Sequence, residues 1–124
     1  MDLQELLNKA WELKKEGKFI EALDFYNKAY DILIKESVDY AKNFEGSEIN
    51  EGKTRKVMPK FFNKADEYLK KDNVICTILN NMGVIFAELG DKKTAKKYFE
   101  ESIKFTPPKV DYPDPKVGLK ELEK

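Results

Sequence analysis

Apolar side chains recur at helical spacing along most of the chain. In residues 3–16, the apolar face is formed by Leu3, Leu6, Leu7, Ala10 and Leu13. This spacing predicts an amphipathic helix. Gly17 should end it, because glycine readily adopts the left-handed conformation that follows many helices. A second apolar stripe begins at Phe19 and weakens beyond Leu33, so the pattern predicts an antiparallel helical hairpin at the start of the chain.

The middle of the chain is less regular. From Glu45 to Lys53 the sequence has two glycines and a single apolar residue, which predicts a loop. Helical spacing then returns and predicts a helix from about Pro59 to Lys71.

Two closely spaced helices are predicted next. Asp72 or Asn73 can cap the first of them. That helix is apolar over much of its circumference as far as Leu89, which makes it the best candidate for the buried centre. Gly90 and Asp91 separate it from a second helix, which should end before Pro107 and Pro108.

Residues 109–124 are predicted to form a Pro-rich extended tail, poorly packed over the proline-dense stretch from Pro107 to Pro115. Four of the five prolines lie between Pro107 and Pro115, and such a density of proline favours extended backbone. Leu119 and Leu122 leave room for a short terminal helix within this tail.

The two predicted hairpins share a series of residues at equal spacing. At offsets 3, 7, 12, 16 and 19 from Ala10 stand Leu13, Gly17, Ala22, Tyr26 and Ala29. The same offsets from Gly83 give Phe86, Gly90, Ala95, Phe99 and Ser102. At offset 9 the match fails, since Phe19 corresponds to Lys92. Small residues at these positions let two antiparallel helices approach closely, while the bulky ones fill the groove beside the contact.

This series resembles the tetratricopeptide repeat, a helix-turn-helix unit of about 34 residues. The resemblance covers about Leu3 to Ser37 and Thr77 to Pro108. It implies an all-α fold: an alpha-alpha superhelix of antiparallel helical hairpins, with five to six helices. Residues 1–108 would form one domain, with units at about 3–37 and 74–108 and a degenerate or inserted segment at 38–73.

The resemblance also implies a binding surface, because ligands of this family commonly lie on the concave face formed by the first helix of each hairpin. The corresponding partner-binding residues are Asn8, Trp11, Lys15, Thr77, Asn80, Asn81, Val84 and Glu88, with Lys14 beside them. Two alternatives stay open: Asn8 and Asn81 could simply bond neighbouring turns, and Trp11 could pack against the middle segment. A clamp of Lys and Asn for a C-terminal carboxylate is not expected, because Leu7 and Trp11 occupy its positions in the first unit.

Composition narrows the choice of function. The 23 basic residues balance 23 acidic ones, histidine is absent and Cys76 is the sole cysteine. An intrachain disulfide, a Cys/His zinc site and His-dependent catalysis are therefore excluded. We expect no catalytic residues, no cofactor and no metal, and a cytoplasmic location. The longest apolar run is interrupted by Asn80, Asn81 and Glu88, so no membrane span is predicted.

The leading hypothesis is a non-catalytic protein-protein interaction module that binds a peptide or partner protein in the concave groove. One alternative is a structural or self-associating scaffold, with the groove filled by the insertion or by residues 106–116. Another is binding of RNA or a polyanion by Lys-rich helix faces that include Lys92, Lys93, Lys96 and Lys97. A single arginine argues against nucleic acid, because bidentate contacts prefer guanidinium.

Overall fold

The computed structural model describes residues 1–45 and 64–124, and their regular structure is entirely helical. The helices are α1 (Leu3–Lys15), α2 (Phe19–Glu45), α3 (residues 64–69), α4 (Val74–Glu88), α5 (Lys92–Lys104) and α6 (Asp114–Leu122). The predicted all-α class with five to six helices is thus confirmed for these residues. The predicted loop after Glu45 and the predicted helix start at Pro59 lie outside the described residues.

The same turn joins α1 to α2 and α4 to α5. Gly17 and Gly90 both adopt a left-handed conformation, with φ of 77° and 85°. In each turn the residue after the glycine donates its N–H to a carbonyl near the end of the preceding helix, Lys18 to Leu13 at 2.9 Å and Asp91 to Phe86 at 2.9 Å. These bonds satisfy carbonyls that a helix end leaves open. The repeated glycine therefore sets the direction in which each second helix leaves.

The four small residues of the shared series are all buried. Ala10, Ala22 and Ala95 are fully buried, and Gly83 is buried as well. A Cβ atom placed on Gly83 would lie 2.8 Å from the Phe99 ring. The hairpins α1–α2 and α4–α5 are therefore packed at the positions that the sequence series predicts.

The hairpin α4–α5 packs directly onto α1–α2. One continuous core includes Leu6 and Ala10 of α1, Leu23 of α2, and Ile78 and Met82 of α4. Lys14 of α1 also donates a hydrogen bond of 3.0 Å to Oδ1 of Asn81 in α4. Among the described residues, no helical unit stands between the two hairpins.

The described ends of the segment between the hairpins pack against each other. Helix α2 continues to Glu45, and its later part packs against α3 through a separate small core of Ala41 and Ala65. Tyr68 of α3 reinforces this contact by donating a 2.8 Å hydrogen bond to Glu36.

The C-terminal residues agree with the expectation only in part, because residues 108–111 are non-helical and exposed whereas the short terminal helix forms as α6 and is packed. Pro107 and Pro115 are buried, and α6 packs against both α4 and α5. The ring of Phe99 lies between two glycines, since a Cβ atom on Gly118 of α6 would come within 2.6 Å of it. Glycine at this position lets α6 approach close enough to cover the end of the α4–α5 hairpin.

Candidate binding groove

A groove with a volume of about 810 Å³ lies between the C-terminal part of α1, one face of α4, and α6 with the residues just before it. We call it the groove. The predicted partner-binding residues that line it are Trp11, Thr77, Asn80, Asn81, Val84 and Glu88. The spacing of Thr77, Asn80, Val84 and Glu88 places them on one stripe of α4.

Apolar side chains form much of the groove surface. Val84 and Ala87 of α4 line it together with the buried ring of Phe99 and the exposed side chain of Val117 in α6. Trp11 is 46% exposed and Val117 is 54% exposed. Two large apolar groups that line one groove and remain this exposed mark a surface suited to a partner.

Asn80 is the least satisfied polar residue of the groove. It is only 6% exposed, yet its Oδ1 atom has no hydrogen-bond partner within the described residues. Burial raises the pKa of the neighbouring Tyr112 hydroxyl, while hydrogen bonding with Thr77 and, more weakly, with Asn80 opposes that rise. The Asn80 carbonyl nevertheless stays free, and a buried acceptor without a donor costs about 1–3 kcal/mol.

Lys14 supplies a half-buried positive charge at the α1 side of the groove. Its ammonium bonds Asn81 and lies 4.8 Å from the centre of the Trp11 ring. Burial lowers the pKa of Lys14, and the negative charge of Glu88 offsets part of this effect. No ion pair joins Lys14 to a carboxylate among the described residues, so the protein itself neutralises this cation incompletely.

Comparison with known proteins places a repeat at the second hairpin. Residues 77–109 match the family model of the tetratricopeptide repeat, which covers most of α4, all of α5 and the segment that follows. The second hairpin is thus similar to a tetratricopeptide repeat. No curated protein and no solved structure matches the chain significantly.

Two of the predicted site residues lie outside the groove. Asn8 is exposed and accepts a 2.9 Å hydrogen bond from Gln4 on the neighbouring turn of α1. Lys15 is exposed, with its ammonium 6.0 Å from the centre of the Trp11 ring. The stripe of Leu7, Trp11 and Lys14 faces α4, since Lys14 bonds Asn81 and the other two line cavities shared with α4. Asn8 and Lys15 each follow a residue of this stripe and therefore point elsewhere.

Asn81 and Trp11 make contacts other than the local bond and the packing on the middle segment that the simpler alternatives describe. Asn81 bonds Lys14 of the first hairpin rather than a neighbouring turn of its own helix. Trp11 lines the groove opposite α4 and α6, and its ring does not pack against the described part of the middle segment. Both residues thus belong to the contact between the two hairpins.

Sequence reasoning did not predict that α6 and the residues just before it form one side of the groove, which we call the α6 wall. Its groove-lining residues are Tyr112, Asp114, Val117, Gly118, Glu121 and Leu122. Gly118 follows Gly83 by 35 residues, about one repeat length, and both glycines contact Phe99. That spacing was the available signal that α6 takes the place of the first helix of another unit.

Other chemistry finds little support in the described part of the chain. Residues 1–45 and 64–124 contain no cluster of three or more side chains of the types that could hold a metal ion. Cys76 is fully buried, its thiol bonds the Asn73 carbonyl at 3.3 Å, and burial raises its pKa, which opposes nucleophilic reactivity. None of the described helices combines the length and apolar character needed to cross a lipid bilayer.

Proposed function

We propose that this protein is a non-catalytic interaction module whose groove binds a segment of a partner protein. A tetratricopeptide repeat suggests protein-protein interaction, and stacked helical repeats create concave surfaces that serve this purpose. The helices around the groove are preformed, so the partner segment bears most of the ordering cost on binding.

The observation that carries the proposal is the combination of exposed apolar groups and an unsatisfied buried acceptor in one groove. Trp11 and Val117 offer apolar contact area, and Asn80 offers a carbonyl that lacks a donor. A polypeptide segment supplies both kinds of group at once, because each of its residues other than proline has a backbone N–H next to a side chain. Binding would then satisfy Asn80 as well as bury apolar surface.

A recovery experiment with two matched variants tests the proposal. Val84→Arg places a long charged side chain in the groove, whereas Asn8→Arg places the same side chain on the exposed face of α1. Partners captured from native extract by the wild-type protein should be retained by Asn8→Arg and lost with Val84→Arg. Circular dichroism must show equal helicity for all three proteins. Equal recovery by both variants would contradict binding in the groove.

The scaffold alternative has one observation in its favour. Tyr112 and α6 come from the chain's own C-terminal segment and form part of the groove wall. About 810 Å³ nevertheless remains open beside Asn80, and α6 covers the apolar end of α4–α5 that could otherwise drive self-association. The absence of any binding partner that responds to Val84→Arg would favour the scaffold.

Catalysis is not part of the proposed function. The chain lacks histidine, and its one thiol is buried with a raised pKa. A cytoplasmic location and the exclusion of nucleic acid remain predictions from composition. Titration with a generic RNA over a salt series would test the second of these, since polyanion binding weakens steeply as salt rises.

A further inference from the structure

Lys14 is the one charged residue of the groove that is partly buried. The other charged groove residues, Glu88, Lys92, Asp114 and Glu121, are exposed. A bound segment would remove more water from Lys14, and desolvation of an unpaired cation is unfavourable. A ligand that brings a negative charge to this point avoids that penalty. A neutral or positive ligand does not.

Asn81 can donate a hydrogen bond to the same negative group. Its Oδ1 atom accepts the bond from Lys14, which leaves the amide nitrogen of Asn81 with donors to offer. Asn80, the next residue along α4, presents the opposite requirement, because its buried Oδ1 needs a donor. The groove therefore holds a cation with an amide donor beside an orphaned acceptor. This pair of requirements matches a carboxylate and a nearby backbone N–H.

The α6 wall limits how much negative charge the ligand can carry. Asp114 and Glu121 line the groove from this side, and Glu88 lies at the end of α4. Their charges disfavour a run of acidic residues. Lys14, the one partly buried cation of the groove, is therefore matched to one carboxylate.

We infer that the groove recognises one Asp or Glu side chain inside an extended peptide segment, flanked by an aliphatic side chain. The carboxylate binds Lys14 and the Asn81 amide, a neighbouring backbone N–H donates to Asn80, and the aliphatic group contacts Val84 and Val117. An internal side chain is favoured over a chain terminus because Leu7 and Trp11 supply no second cation or amide on α1. This inference rests on the proposed function of the groove.

Synthetic peptide arrays probed with the labelled full-length protein test the inference. The peptides are short, acetylated and amidated, free of Trp, and carry Leu next to a central Glu, Gln or Lys. A fourth set has a central Gln and a free C-terminal carboxylate. The best binders are then titrated in solution by the fluorescence of Trp11, the sole tryptophan, which lines the groove.

The wild-type protein should bind the Glu set about tenfold more tightly than the Gln set, as expected for a charge-assisted hydrogen bond. Lys14→Met keeps the aliphatic stem and should bind the Glu and Gln sets equally. Lys15→Met removes the adjacent exposed charge and should leave the preference for Glu unchanged. Asn80→Leu should weaken binding of both sets, since it removes the acceptor for the backbone N–H of the peptide.

The outcomes that contradict this inference differ from the outcome that contradicts the proposed function. Equal binding of the Glu and Gln sets by the wild-type protein overturns the acidic preference and leaves groove binding intact. Preference for the Lys set overturns it in favour of the α6 carboxylates, and preference for a free C-terminal carboxylate overturns the choice of an internal side chain. Failure of every set to change Trp11 fluorescence contradicts peptide binding in the groove itself.

Discussion

The two hairpins share a sequence series but differ in how deeply their first helices are buried. In α1 only Leu6, Ala10 and Leu13 are buried. In α4 eight residues are buried, from Ile75 to Ile85, and Asn80 is among them. The turn glycines and small contact residues are the same type in both. The series therefore sets the geometry within a hairpin, whereas the neighbours of the hairpin decide how much of it is buried.

The cause of the difference is the number of helices around each first helix. Helix α4 packs against α2, α5 and α6, while α1 packs mainly against α2. Phe99 shows the consequence at a single position, because its ring lies between Gly83 and Gly118. Its counterpart Tyr26 is also buried, and it lines a small cavity with Val74 and Ile78 of α4, the helix that follows α1–α2 as α6 follows α4–α5.

Removal of the Phe99 ring should have the largest effect. Phe99→Ala should lower the free energy of unfolding by about 3–5 kcal/mol, because it leaves a cavity in the packed core. It should also release α6, which has lost its contact partner, whereas Tyr26→Ala should leave the amides of α6 protected. Urea denaturation and amide hydrogen exchange measure the two effects. Protected α6 amides in Phe99→Ala would contradict the role given to this ring.

Gly83→Ala should have the second-largest effect on stability. An added methyl group would lie 2.8 Å from the ring of Phe99, so we expect a loss of about 1–3 kcal/mol from overpacking. The intrinsic helix preference for alanine, about 1 kcal/mol, acts in the opposite direction. In the first hairpin Ala10 already carries this methyl group, and Ala10→Gly should be destabilising as well. Thermal unfolding would refute the close contact if Gly83→Ala proved more stable than wild type.

A smaller effect on stability is expected at Ser102, whose equivalent in the first hairpin is Ala29. The Ser102 hydroxyl donates a buried 2.6 Å hydrogen bond to the carbonyl of Cys76 and so joins α5 to α4. Ser102→Ala should cost about 1 kcal/mol. Ala29→Ser should give no compensating gain, since it buries a hydroxyl at a fully buried site. Denaturant midpoints decide the case, and an unchanged midpoint for Ser102→Ala would show that this bond contributes nothing net.

The bond between Lys14 and Asn81 should have the smallest effect on stability. A double-mutant cycle with Lys14→Met and Asn81→Leu should give a coupling of about 0.5–1 kcal/mol. The same cycle with Lys15→Met in place of Lys14→Met should give no coupling, because Lys15 does not contact Asn81 in this structure. Coupling of equal size in both cycles would indicate a general charge effect instead of a bond between the hairpins.

Local features were the part of the structure that sequence could predict. Gly17 and Gly90 end helices because of backbone preferences, and Asp91 caps α5 through a 3.1 Å bond from the Thr94 N–H. The predicted caps of α4 were less accurate. Asn73 makes no cap bond through its side chain, and Asp72 accepts from the Val74 N–H instead.

Long-range packing was harder to predict. The sequence spacing of the two units left open whether a further unit is stacked between them, and the direct contact of α1 with α4 depends on many distant residues. Two site predictions, Asn8 and Lys15, depended on that geometry and missed the groove, while Trp11 and Asn80 lie in it. A short terminal helix was expected from Leu119 and Leu122, and α6 lies there, with Pro115 at its start, where proline is tolerated.

Direct packing of the two hairpins is the central claim, and an NMR measurement tests it most directly. If α1 contacts α4 through Lys14 and Asn81, nuclear Overhauser effects should connect the ε-methylene protons of Lys14 with the side-chain protons of Asn81. A helical unit between the hairpins would separate them by at least one interhelix spacing of about 8–10 Å. The account predicts the cross-peak in the wild-type protein. Its absence, with Lys14 connected to residues of the 46–63 segment instead, would contradict it.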